Sequence, residues 1–244
     1  MNPKTVNEAL NLFDSVRKSA EKLKNIQTII CPPDIFLGEI AKKKRGKKVS
    51  IGAQDVSVMK KGAFTGEISV AMLKNLGVEY VIVGHSERRA LGDSDEIVYE
   101  KLKLVLDAGI KAILCVGEKE RNETGEYFEF LARQIKSAAS ADLKGKIKNL
   151  IIAYEPIWAI GKTADEAIDA SSLHEMVLFI KKVLTEIFGK TAADKTSVLY
   201  GGSVENENAD DLIKNSEING FLVGHESLDA EKISEILEVV NESQ

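Results

Sequence analysis

Cysteine and proline are both scarce, two and four in 244 residues, which leaves no material for a disulfide framework or a proline-rich spacer. Cys31 and Cys115 each close an apolar run, without CxxC spacing or a neighbouring histidine cluster, so the expectation is buried reduced thiols and no metal site. No segment approaches the ~18 apolar residues of a membrane span, and no apolar signal core follows Met1-Asn2-Pro3-Lys4. The reading is therefore a cytoplasmic protein with no membrane partner. An excess of positive charge is also lacking: 33 Lys and Arg face 38 Asp and Glu, for a net charge of -5, which argues against a nucleic-acid binder. The single basic run, Lys42 to Lys48, is broken by Gly46 and reads as a solvated helix end. A strand is lacking at the front, where the chain opens instead on a helical pattern from Thr5 to Leu23.

What is present is a core. Hydrophobic residues make up 44% of the chain and charged ones 29%, with no repeat, linker or low-complexity tract, so residues 1–244 read as one globular domain. Seven short β-rich runs recur: Thr28 to Cys31, Val49 to Ala53, Tyr80 to Gly84, Ala112 to Gly117, Leu150 to Tyr154, Val198 to Gly201 and Phe221 to Gly224. Between them apolar residues fall three and four apart, as in Val6, Ala9, Leu10, Phe13, Val16 and Ala20. Thr5 with Glu8, and Thr163 with Glu166, have capping-box spacing and predict helix starts. Strands apolar on both faces and alternating with amphipathic helices imply a parallel α/β sheet, either open and doubly wound or closed into a barrel.

Polar residues gather after the strand ends: Gln54, His85, Glu87, Glu118, Glu155, Ser203 and His225. That is where chemistry sits in a parallel α/β fold. Glu155 closes an apolar run and is followed by a Pro-started loop to Gly161, the arrangement of a base beside a lid. Glu118 and Glu87 read more simply as capping or ion-paired residues. His85 precedes a helical turn whose N-terminus disfavours imidazolium, so it suits a neutral hydrogen-bond donor; the competing reading ties it structurally to Glu87 or a carbonyl. His174 lies inside a helical pattern and carries no functional weight. Glycines at Gly201, Gly202 and Gly224 let backbone N–H groups approach an anion, which suggests a phosphate ligand.

The motifs GAFTGE, GHSERR, CVGE, AYEPIWAIG and YGGSV resemble the triosephosphate isomerase family across nearly the whole chain. The resemblance implies a (β/α)8 barrel and a cofactor-free enzyme of glycolysis and gluconeogenesis acting on a phosphorylated three-carbon substrate. It also implies a homodimer formed through Ala63-Phe64-Thr65-Gly66. By the same resemblance Glu155 is the base, His85 the neutral electrophile, and Glu87 and Ser86 support that histidine. Gly161, Ser203, Gly224 and His225 take the phosphate-cradling positions. These roles are carried over from the family and are not read from spacing.

Three departures stand out. The family's first strand, ending in Asn-x-Lys, is missing here, and a barrel without it has two unpaired edges facing each other. The lid runs from Gly161 directly into Lys162-Thr163-Ala164, without the Thr-Gly pair usual at that point. The last strand ends Gly224-His225-Glu226, which puts a carboxylate close to the expected phosphate. A lost Lys and a gained Glu should raise KM and lower kcat. Two readings follow: an isomerase whose true start lies upstream, or a catalytically defective relative retained as a binding or assembly scaffold. A barrel enzyme for a different phosphorylated substrate is disfavoured by the retained His85 and Glu155.

Overall fold

The computed structural model describes residues 2–60, 62–163 and 166–243. Helix α1 (Val6–Lys22) begins where the capping pattern puts it: the Thr5 hydroxyl accepts from the Glu8 N–H at 3.1 Å, and Ala9, Phe13, Val16 and Ala20 form its buried stripe. Strands and helices then alternate. β1 (Thr28–Ile30) leads to α2 (Asp34–Lys43), β2 (Val49–Ala53) to α3 (Val70–Asn75), and β3 (Tyr80–Val83) to α4 (Ser86–Ala90) and α5 (Asp95–Asp107). β4 (Lys111–Val116) precedes α6 (Glu126–Ala138), and β5 (Leu150–Tyr154) precedes α7 (Ala170–Phe188) and α8 (Lys190–Lys195). β6 (Ser197–Tyr200), α9 (Asn206–Asn215) and α10 (Ala230–Glu242) complete the sequence.

All pairings are parallel and the order is strictly β1-β2-β3-β4-β5-β6. A doubly wound sheet reverses its strand order at a switch point. This one never does, so it curls in one direction, with helices outside and a separate lining within. That lining is Cys31, Tyr80, Ile82, Ile113, Cys115 and Ala153, distinct from the larger core between sheet and helices. The open alternative for the α/β sheet is thereby settled in favour of the barrel type.

One expectation needs correction. The run from Phe221 to Gly224 is not a strand: it makes one parallel bridge, Tyr200 to Phe221. Tyr200 N–H donates to the Gly220 carbonyl and Leu222 N–H to the Tyr200 carbonyl, and the pairing stops at that bridge. The helix start expected at Thr163 runs into residues 164 and 165, which lie outside the described residues. The Thr163 hydroxyl contacts the Glu166 carboxylate at 3.3 Å, and α7 begins at Ala170 under the cap of Asp169, whose carboxylate accepts from Ser172 N–H at 2.9 Å. An ionised Asp is the stronger acceptor for the first turn of α7.

The basic run is a solvated helix end, as its composition suggests. Lys42 pairs with Glu39, Lys43 with Asp14 and Lys44 with Glu79. Both cysteines are free and buried, and desolvation pushes the Cys31 thiol up to about 12. Among the described residues no helix is long and apolar enough to cross a membrane.

Candidate active site

The GHSERR motif builds one wall of the site. Gly84 turns the chain at φ +73°, a region open to glycine, and Arg89 ties the turn down through Nε to the Gly84 carbonyl at 2.8 Å and through a second nitrogen to Asp95 at 2.7 Å. His85 is thereby the N-cap of α4. Its Nδ1 accepts from the Glu87 N–H at 3.3 Å, which requires a lone pair there and leaves the hydrogen of the neutral ring on Nε2. Nε2 faces Glu155 Oε1 at 3.3 Å. The Glu87 carboxylate is 86% exposed, so that residue serves His85 through its backbone N–H.

Glu155 follows β5 and is 2% exposed. Its Oε2 accepts from Ser86 N–H at 3.1 Å, whereas Oε1 is buried without a hydrogen bond. Burial pushes this carboxyl above its ordinary value, against the opposing attraction of His85, a Cys115 thiol donor, the Ser86 N–H and Arg89. Cys115 thus joins the site, although its apolar run reads in the sequence as plain core. Two glycines set the position of Glu155: a Cβ on Gly117 would lie 1.9 Å from the Glu155 carbonyl oxygen, and one on Gly201 would lie 2.9 Å from its Cγ.

A base must be ionised to accept a proton. The acid limb of kcat/KM is therefore expected above the ordinary carboxyl value of 4.5. A pH profile whose acid limb lies at or below that value would contradict the burial argument.

Glu118 is the lid's anchor. Its Oε1 accepts from Tyr154 OH at 2.7 Å, Trp158 Nε1 at 2.9 Å and Arg121 Nε at 3.0 Å, and its carbonyl accepts from Ile157 N–H at 2.9 Å. Arg121 also lies 5.0 Å over the Trp158 ring. The structural reading of Glu118 therefore holds, and its aromatic partners are what spacing could not reveal. Further along the lid, Lys162 N–H donates to Ser203 Oγ at 3.0 Å and that hydroxyl donates to the Ala159 carbonyl at 2.9 Å. Gly161, at φ +73°, makes the turn between them. Ser203→Ala removes both bonds, each worth about 1 kcal/mol. The expected result is a roughly tenfold loss in kcat/KM with an unchanged fold, checked by steady-state kinetics and circular dichroism.

Gly224 and His225 lie on the loop after Phe221. The His225 side chain is 64% exposed and turned to Glu226 at 2.8 Å, which leaves only its backbone for a cradle. Glu226 is buried and paired with Lys232 at 2.8 Å, so its charge is answered locally. Glu205, His225 and Glu226 bring donor atoms within 4.8 Å of one another, with the Glu226 carboxylate already paired to the Lys232 ammonium. Among the described residues no Lys or Arg forms an ion pair with Glu155 or with His85.

A family model described as triosephosphate isomerase matches residues 1–240. A triosephosphate isomerase of Fusobacterium nucleatum is 43% identical over 238 residues, covering 96% of this chain and 93% of that protein. One from Aquifex aeolicus is 43% identical over 237 residues, covering 96% and 94%. One from a Thermoanaerobacter species is 40% identical over 237 residues, with the same coverage. With a six-stranded parallel sheet curled one way, a buried carboxylate facing an imidazole and matches of this extent, the chain belongs to the triosephosphate isomerase family.

Proposed function

We propose that the chain interconverts glyceraldehyde 3-phosphate and dihydroxyacetone phosphate through Glu155 and His85. The ionised Glu155 Oε1 takes the proton from the substrate carbon beside the carbonyl. His85 Nε2–H meanwhile donates a hydrogen bond to the carbonyl oxygen, on which negative charge grows. The hydroxyl proton of the resulting enediolate passes to the former carbonyl oxygen by way of His85 Nε2, Glu155 returns the carbon-bound proton to the neighbouring carbon, and Glu155 is again ionised. The observation that carries this reading is the unbonded Oε1, buried and 3.3 Å from a ring nitrogen whose hydrogen is fixed there by the Nδ1 bond. Gly161, Ser203, Gly224 and the His225 backbone are proposed to hold the phosphate, under a lid that keeps water from the intermediate.

The test is kcat/KM for isomerisation, with a His85→Gln, Glu155→Gln double variant prepared identically to expose contaminating host enzyme. Activity far above the double variant is expected. Equal rates would overturn catalysis and favour the scaffold reading.

The partner is proposed to be a second copy, in keeping with a cytoplasmic metabolic enzyme. Phe64, Ile35 and Leu91 are large apolar side chains left exposed, with Phe64 in the loop implicated by resemblance. Phe64→Glu is expected to convert dimer to monomer in sedimentation velocity at micromolar concentration. An unchanged sedimentation coefficient would exclude that loop from the interface.

A further inference from the structure

The two arginines of GHSERR part company. Arg88 pairs with Asp55 at 2.9 Å, whereas the Arg89 side chain, 15% exposed, folds back under the turn that carries His85. Its three nitrogens have different surroundings. Nε donates to the Gly84 carbonyl at 2.8 Å, Nη1 donates to Asp95 at 2.7 Å, and Nη2 is buried without a hydrogen bond. A Cβ on Gly84 would lie 3.1 Å from Nη2 and 3.3 Å from the Cys115 carbonyl oxygen, so the unbonded nitrogen lies against the turn, toward β4. Leaving such a donor unbonded in the interior is costly.

The bonded nitrogens reach the base through the backbone. The Gly84 carbonyl belongs to the peptide leading into His85, and the N–H after His85, that of Ser86, donates to Glu155 Oε2 at 3.1 Å. Fixing that peptide fixes both contacts of the carboxylate, His85 Nε2 on Oε1 at 3.3 Å and Ser86 N–H on Oε2. Charge reaches it as well. The ionisable groups acting on Glu155 are His85, Cys115 and Arg89. His85 Nδ1 accepts from Glu87 N–H and so carries no second proton, and burial holds the Cys115 thiol well above its ordinary value. A guanidinium cannot release its proton at all. We propose that Arg89 is a positioning residue for the reaction: it holds His85 and Ser86 N–H against Glu155 and supplies the permanent positive charge facing that carboxylate. Asp95, on the first turn of α5, orients Arg89 and partly offsets that charge.

The proposal rests on Glu155 as the base, so the first readout is independent of turnover. It is the Tm difference between Glu155→Gln and the chain that keeps Glu155, followed with pH in three backgrounds: unchanged, Arg89→Met and Asp95→Asn. Without the guanidinium an ionised Glu155 is harder to bury, and at pH 8 the difference should be wider by about 2–4 °C in Arg89→Met. With Asp95 neutral the guanidinium acts unopposed, and the difference should narrow in Asp95→Asn. A role confined to holding the fold lowers every Tm and leaves the difference equal in all backgrounds. That result, or a change of the same sign in both variants, would overturn the proposal.

The second readout is the acid limb of kcat/KM. It should move to higher pH in Arg89→Met, return toward the parent in Arg89→Lys, and move to lower pH in Asp95→Asn. The loss in Arg89→Met should be about three- to tenfold greater at pH 6 than at pH 8. An unmoved acid limb in an active Arg89→Met variant would also overturn it. Failure of the isomerase reading shows differently, as a parent rate equal to that of the His85→Gln, Glu155→Gln variant, with the melting differences still deciding whether Arg89 acts on Glu155.

Discussion

Replacing Glu155 with Gln is expected to lower kcat for triose phosphate interconversion by about 10²–10⁴-fold and, at neutral pH, to raise Tm. Gln keeps the shape and can still accept from Ser86 N–H, but it has no basicity with which to remove a carbon-bound proton. The loss should appear in kcat and kcat/KM together, since the carboxylate's task is confined to the transition state.

The gain in stability follows from the raised carboxyl. Between the ordinary value of 4.5 and the higher native value, the unfolded chain has released a proton that the native state still holds. Stability of the parent therefore falls as pH rises through that window and stays lower above it. The Glu155→Gln variant would escape the penalty of burying a charge. The difference in Tm between variant and parent should be small below pH 4.5 and grow to a plateau above the native value, as thermal melts at a series of pH values would record. A variant less stable than the parent at pH 7 would mean that the donors of Ser86 and Cys115 outweigh desolvation, and would sink this account.

Periodicity made the framework legible. The stripe of Ala9, Phe13, Val16 and Ala20, and strands such as Val49–Ala53 that are buried at every position, follow from spacing alone. The misread element is one decided by neighbours far along the chain. Phe221 has strand character, yet its pairing with Tyr200 stops at a single bridge. The proposed site residues His85 and Glu155 stand at strand ends, where the fold class puts chemistry. Cys115 was not legible, because its contact with Glu155 joins adjacent strands and leaves no trace in local composition. The Glu118 cluster was hidden likewise, its partners Tyr154 and Trp158 being brought to it by the β4 and β5 register.

That register also makes Gly117 the residue whose replacement should damage both stability and activity. A methyl group there would lie 1.9 Å from the Glu155 carbonyl oxygen and 2.5 Å from its carbonyl carbon. Both are backbone atoms, so no rotamer change relieves the clash. The strands must separate, although they are held by Glu155 N–H to Val116 at 2.8 Å and Ile157 N–H to Glu118 at 2.9 Å. Gly117→Ala is expected to cost about 3 kcal/mol, the upper end of overpacking, or roughly 6–12 °C in Tm. Moving the Glu155 backbone by ~1 Å should also lower kcat about 100-fold. Gly201→Ala supplies the contrast. There the added carbon meets the Glu155 side chain, at 2.9 Å from Cγ, which can yield by rotating. Its activity loss should therefore come with a much smaller drop in Tm. Thermal melts and kinetics on the two variants separate backbone displacement from a shifted carboxylate. If Gly117→Ala melts within a degree or two of the parent and turns over normally, close approach at Gly117 is not what holds the base in place.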